Sequence, residues 1–218
     1  MKKFILIFLM SFIFMTSVKA EDLNLASSAK SSILIEASTG EIIHSSNENE
    51  RYAPASMTKI MSLILIMEEI EKGALDLNEK IKVSANAASM GGSQIYLEAG
   101  EEMTVNDLLK GICVGSANDA IVALAERISG TEEAFVFKMN ERAKKMGLKN
   151  TNFKNATGLD EANHYSTAYD MAQMARELVR HSKILEYSGI YETYLRQDTN
   201  KKFWLVNTNK VILKFYNS

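Results

Sequence analysis

The sequence predicts an α+β fold, with a helical cluster and an antiparallel sheet in one domain. Two β-rich runs, Ser32–Ala37 and Glu41–His44, flank a Ser-Thr-Gly turn and predict a hairpin. Helical segments with capping signals fill the middle of the chain, and a β-rich run returns at Phe203–Val206. Strands and helices do not alternate, which argues against a parallel α/β sheet.

The helices are predicted from apolar patterning and from residues that favour helix ends. The predicted helices span residues 56–71, 104–112, 116–129, 132–146 and 166–180. Ser116 with Asp119 resembles a capping box, which is its simplest structural interpretation. In the fourth helix, Phe135, Phe137 and Met139 are predicted to face the core.

The first residues are typical of a secretory signal peptide. Two lysines precede an apolar run, Phe4–Met15, and small residues at Val18–Ala20 suit a cleavage site. We therefore expect residues 1–20 to be a signal peptide and residues 21–218 to form the functional domain, with no membrane anchor seen after cleavage. Removing 1–20 takes away three lysines and lowers the net charge from −2 to −5. That acidic balance argues against nucleic acid and anionic membranes as partners.

Neither cysteine nor histidine chemistry is indicated by the sequence. Cys113 is the only cysteine, so no internal disulfide can form, and its apolar neighbours suggest a small core residue. The three histidines have no spacing typical of metal ligands, and no metal site is expected.

The most informative motif is Ser56-Met57-Thr58-Lys59, at the start of a helix that is apolar on nearly every face. Residues three apart share one helical face, so the Ser56 hydroxyl and the Lys59 amine should be neighbours. A serine becomes a nucleophile when a nearby base takes its proton, and burial can lower a lysine's pKa far enough for that role. An N-cap serine and a lysine that reaches the surface are the alternative interpretation.

A second polar motif, Ser116-Ala117-Asn118, falls between two predicted helices. A hydroxyl there could relay a proton, and an amide could hold a peptide carbonyl or steady the lysine.

In this order and spacing, the two motifs resemble those of the penicillin-recognising serine enzymes. Most of the chain, about residues 30–216, resembles the exported D-alanyl-D-alanine carboxypeptidases, which are low-molecular-mass penicillin-binding proteins. The segments that carry the resemblance are Ala37–Ile42, Pro54–Lys59, Gly92–Leu97, Gly115–Ala120, His164–Asp170 and Asn207–Lys210.

The resemblance implies a β-lactamase/DD-peptidase-like transpeptidase fold and removal of the terminal D-alanine from peptidoglycan stem peptides. Ser56 would be the acylated nucleophile, Lys59 its general base, Ser116 a proton shuttle and Asn118 a substrate-binding residue. β-Lactams would be covalent inhibitors, no metal or organic cofactor would be needed, and the protein would act outside the cytoplasm in the cell envelope.

The family's third motif, Lys-Thr-Gly, is expected shortly after Asn207–Lys210 but does not occur before Ser218. Ser38-Thr39-Gly40 is similar but belongs to the first hairpin. We therefore expect the C-terminal strands of the sheet to be missing, which leaves an inactive homologue that at most binds peptidoglycan peptides as the alternative. A β-lactamase is a third possibility, but no Glu-x-x-Leu-Asn pattern follows the second motif.

Overall fold

The computed structural model describes residues 28–212, so the predicted signal peptide lies outside the described residues. The predicted α+β class and the antiparallel pairing are confirmed. The strands pair as three separate hairpins, β1 with β2, β3 with β4 and β5 with β6. The strands are β1 (Ser32–Ile35), β2 (Ile42–Ser46), β3 (Lys80–Lys82), β4 (Glu102–Thr104), β5 (Glu192–Leu195) and β6 (Phe203–Val206).

Seven α-helices lie in residues 28–212. They are α1 (Lys59–Glu71), α2 (Ala85–Ala88), α3 (Val105–Gly115), α4 (Asn118–Ser129), α5 (Glu132–Lys145), α6 (Ala168–Leu178) and α7 (Ser182–Ser188). Helix α1 is the centre of the core, because every residue from Met61 to Met67 is buried. It packs against α4, α5 and α6. The prediction of a helix that is apolar all round is therefore confirmed.

The helix N-termini are capped largely as the sequence indicates. The Thr104 hydroxyl accepts a hydrogen bond from the Asp107 N–H at the start of α3, and Thr167 caps α6 in the same way. Each cap satisfies a backbone donor that lacks a partner within its helix.

Two details of the helical predictions are wrong. Ser116 does not cap α4; it follows the end of α3 in a left-handed conformation with φ 58°, and Ala117 is the residue that precedes α4. Phe137 is 68% exposed, and its neighbour Val136 takes the buried position on α5 instead. Both errors arise because adjacent residues fit the same local pattern, and tertiary packing decides between them.

The first hairpin is held against α6. The Glu36 carboxylate accepts hydrogen bonds from the backbone N–H groups of Ser38 and Thr39, which lower its pKa to about 2. Arg176 of α6 donates to the carbonyls of Ala37 and Ser38. An apolar groove of about 880 Å³ lies between this hairpin and α6, and neither Ser56 nor Lys59 lines it.

Within residues 28–212, no helix combines the length and the apolar character that crossing a membrane requires.

Candidate active site

The candidate nucleophile lies in a short 3-10 helix, Ala55–Thr58, that leads directly into α1. Ala55 has φ 48°, a left-handed conformation that is uncommon for residues other than glycine. Its carbonyl faces Gly158, where an added Cβ would lie 1.8 Å from the Ala55 oxygen. The turn that presents Ser56 is therefore held by a close approach that only glycine at position 158 permits. Ser56 itself is exposed.

Lys59 is the first residue of α1 and is 4% exposed. Its Nζ lies 3.2 Å from the Ser56 Oγ and donates to the Thr157 carbonyl at 2.8 Å. Burial lowers the pKa of Lys59 to about 8, because the charged form loses its hydration and no carboxylate compensates for it. An uncharged amine can keep its bond to Thr157 and offer its lone pair to the Ser56 hydroxyl.

The Thr157 carbonyl is fixed by the loop that carries it. The Asn155 side chain accepts hydrogen bonds from the backbone N–H groups of Thr157 and Gly158 at 3.3 and 2.7 Å. Next to it, the Ala156 carbonyl accepts from the Ser62 hydroxyl of α1 at 2.8 Å. The loop is thus hydrogen-bonded to α1 at Ser62, one turn beyond Lys59.

A buried histidine connects the same loop to the turn that presents Ser56. His164 Nδ1 accepts a hydrogen bond from the Lys154 N–H at 3.1 Å, so the ring proton is on Nε2, which lies 2.7 Å from the Thr58 hydroxyl. Burial lowers the pKa of His164 below its usual value. The neutral ring therefore donates to Thr58, which directly precedes Lys59.

Ser116 and Asn118 lie where α3 meets α4. The Asn118 backbone N–H donates to the Ser93 carbonyl at 2.7 Å, and its Nδ2 donates to the Gly91 carbonyl at 2.7 Å. The Asn118 Oδ1 is buried and has no hydrogen-bond partner among the described residues. This orphaned acceptor could take an N–H from a bound peptide.

The neighbouring Asp119 fixes the loop that contains Ile95 and Leu97. Its carboxylate accepts from the backbone N–H groups of Ile95 and Leu97 at 3.0–3.2 Å. Asp119 thereby holds the segment that follows Gly91 and Ser93, the two residues whose carbonyls bind Asn118.

The geometry joins two of the four predicted site residues directly. Ser56 and Lys59 are bonded to each other, whereas no hydrogen bond in residues 28–212 connects either of them to Ser116 or Asn118. The sequence interpretation missed the Thr157 carbonyl and the role of Gly158. The only sequence feature that marks Thr157 and Gly158 is the turn-rich composition between Asn150 and Asn163.

A protein-family model described as D-alanyl-D-alanine carboxypeptidase, Peptidase S11, matches residues 16–217. The chain belongs to this family. The resemblance drawn from the sequence motifs is therefore confirmed, and so is the fold that it implied.

Curated D-alanyl-D-alanine carboxypeptidases show the same relationship. DacF of Bacillus subtilis (strain 168) is 61% identical over 192 residues, which cover 88% of this chain and 49% of that protein. DacC of Escherichia coli (strain K12) is 34% identical over 193 residues, covering 83% and 48%. The chain thus spans about half the length of these curated relatives.

Solved structures of D-alanyl-D-alanine carboxypeptidases and penicillin-binding proteins match the fold. DacD from Francisella tularensis aligns with a TM-score of 0.77 at 36% identity, covering 84% of this chain and 45% of that chain. Penicillin-binding protein 5 from Haemophilus influenzae aligns with a TM-score of 0.80 at 31% identity, covering 86% and 54%.

Proposed function

We propose that this protein is a serine D,D-carboxypeptidase that removes the terminal D-alanine from peptidoglycan stem peptides through an acyl-enzyme. The observation that carries the proposal is the buried Lys59 amine, 3.2 Å from the Ser56 hydroxyl. With a pKa of about 8, about one Lys59 amine in ten is uncharged at pH 7, against about one in 3,000 for a solvated lysine. Membership of the D-alanyl-D-alanine carboxypeptidase family supports the substrate class.

In the acylation step, Lys59 takes the Ser56 proton while the Ser56 oxygen attacks the carbonyl carbon of the penultimate D-alanine. The backbone N–H of Ser56, in the first turn of a helix, would stabilise the oxyanion. Collapse of this intermediate breaks the carbon–nitrogen bond, and the leaving D-alanine amine receives a proton through Ser116. Water then attacks the ester, releases the shortened peptide and restores the Ser56 hydroxyl.

Asn118 would hold the peptide backbone during these steps. Its side-chain nitrogen is committed to Gly91, so the buried Oδ1 is the atom available to a substrate N–H. The Ser116 and Asn118 roles rest on their place in the family's second motif and on this orphaned acceptor.

A fluorescent penicillin tests the proposal. We expect a covalent band that persists through denaturation, because a β-lactam acylates the same hydroxyl. The band should be absent in Ser56→Ala and retained in Ser45→Ala, whose exposed hydroxyl lies on the first hairpin. D-Alanine release from a peptide that ends in D-Ala-D-Ala should follow the same pattern.

Other results would favour the alternatives. A folded protein, by circular dichroism, that gives no band but retains peptide affinity would indicate a binding protein without catalysis. Rapid release of hydrolysed penicillin would indicate a β-lactamase.

We also propose that residues 1–20 are removed during export and that residues 21–218 act in the cell envelope. The charged start and apolar run of residues 1–20 support this. N-terminal sequencing of the exported protein should begin at Glu21, and a cytoplasmic protein that still begins at Met1 would contradict it.

A further inference from the structure

A cluster of charged side chains lies at the far end of α1, away from the nucleophile. Glu68 of α1, Glu177 of α6 and His181 each bring one oxygen or nitrogen donor atom into the cluster, and these atoms lie within 4.8 Å of one another. Glu68 and Glu177 are half-buried and His181 is 8% exposed. The cluster joins the ends of two helices that pack together in the core.

The His181 ring has the arrangement of a metal-binding imidazole. Its Nδ1 lies 2.7 Å from a carboxylate oxygen of Glu71, and since a carboxylate accepts, Nδ1 carries the proton. The other nitrogen, Nε2, then carries no proton and has a free lone pair. It is buried and has no hydrogen-bond partner among the described residues. Metal-ligating histidines commonly donate their second nitrogen to a carboxylate in this way, which orients the ring.

The cluster has a net negative charge, which favours binding of a cation. Arg142 of α5 binds one oxygen of each carboxylate, Glu68 Oε1 at 2.7 Å and Glu177 Oε1 at 2.6 Å. The second oxygen of Glu68 has no hydrogen bond within residues 28–212, and that of Glu177 has only a long contact, 3.4 Å, with Arg180. Three carboxylates, counting Glu71, outnumber the two guanidinium groups. The negative ends of the α1 and α6 dipoles add to the attraction for a cation.

We propose that Glu68, Glu177 and His181 bind a Zn²⁺ ion, with Glu71 orienting the imidazole and Arg142 remaining on Oε1 of Glu68 and of Glu177. One imidazole nitrogen and two carboxylate oxygens suit zinc, which takes both donor types, and a water molecule would be the fourth ligand of a tetrahedral site. Magnesium and calcium prefer sites made only of oxygen ligands.

The ion would clamp the C-terminal end of α1 to the junction of α6 and α7. The role of the ion would be structural, because Lys59 and the turn that presents Ser56 lie at the opposite end of α1. The site is not evident from the sequence, because the histidines lack the spacing typical of metal ligands and the two carboxylates come from separate helices.

Titration calorimetry of the purified, metal-free protein with Zn²⁺ and with Mg²⁺ tests the proposal. We expect one Zn²⁺ per chain and no Mg²⁺ binding at the same concentrations. His181→Gln and Glu177→Gln should each weaken Zn²⁺ binding at least tenfold, and Glu71→Gln should weaken it about 10–100-fold as an outer partner. The matched control is Glu69→Gln, which changes a glutamate of the same helix that pairs with Lys72 outside the cluster.

A spectroscopic measurement on the unaltered protein covers the case in which a variant fails to fold. Zn²⁺ should shift the ¹⁵N resonance of His181 Nε2 and leave the ring of His164 unchanged. Absence of Zn²⁺ binding, equal affinity in His181→Gln and the unaltered protein, or an unshifted His181 resonance would overturn the proposal. Acylation of Ser56 by penicillin is independent of this result.

Discussion

Replacement of Gly158 by alanine should disrupt the turn that presents the nucleophile. The new methyl group would lie 1.8 Å from the Ala55 carbonyl oxygen and 3.0 Å from the Thr58 hydroxyl, and Gly158 has φ +86°. The left-handed conformation alone costs an alanine about 1–2 kcal/mol. Displacement of a packed backbone adds about 1–3 kcal/mol, so the free energy of unfolding should fall by roughly 2–5 kcal/mol.

The matched control is Gly147→Ala. Gly147 follows α5 with φ +74°, and nothing lies within 4 Å of the position that its Cβ would take. Only the conformational cost of about 1–2 kcal/mol applies there. The difference between the two variants therefore isolates the contact with the Ala55 carbonyl.

Thermal unfolding and penicillin labelling together measure the effect. For a protein of this size, 1 kcal/mol corresponds to about 2–4 °C, so Gly158→Ala should lower Tm by roughly 4–20 °C and the control by roughly 2–8 °C. At a temperature where both variants are folded, Gly158→Ala should label Ser56 at least tenfold more slowly, because small displacements of a nucleophile are costly. Equal Tm and equal labelling in the two variants would refute this account of the turn.

Three further changes test individual groups. Lys59→Arg should abolish labelling by penicillin despite retaining the positive charge, because a guanidinium cannot act as a neutral base; labelling that survives would remove lysine from this role. Cys113→Ala should leave labelling unchanged, since burial raises the pKa of the thiol to about 12 and makes it a poor nucleophile; a folded but unlabelled variant would contradict this. His164→Gln should lower stability by about 1–3 kcal/mol above pH 6.5, through lost bonds to Thr58 and Lys154. Because the pKa of His164 is lowered in the folded protein, the unfolded chain takes up that proton more readily and the unaltered protein loses stability as pH falls below about 6.5. The Tm difference from His164→Gln should therefore narrow at low pH, and a difference that widens there would contradict the neutral ring.

The sequence predicted best what depends on neighbours along the chain. Ser56 and Lys59 are three residues apart, so helical geometry brings them together once the segment is recognised as a buried helix. The first hairpin followed from its turn and its β-rich flanks. The Thr104 and Thr167 caps are local in the same way, because each side chain bonds a backbone N–H within one turn.

Features that depend on distant contacts were missed. The Thr157 carbonyl reaches Lys59 only through the fold, and His164 contacts Thr58 across more than a hundred residues. Strand β5 was not predicted, although Thr193 and Tyr194 favour strands, because its four residues are too short a run to identify alone and the strand is defined by pairing with β6. Ser116 fitted a local cap pattern, but the end of α3 required it in a left-handed conformation.

The central claim is that burial lowers the pKa of Lys59 in the folded protein, so that about one amine in ten is uncharged at pH 7 and can act as a base. An NMR titration of the Lys59 side chain, assigned by its loss in Lys59→Arg, measures this directly and needs no substrate. The account predicts a midpoint near pH 8, set by burial without a compensating carboxylate. A midpoint near 10.5, the value of a solvated lysine, would contradict it.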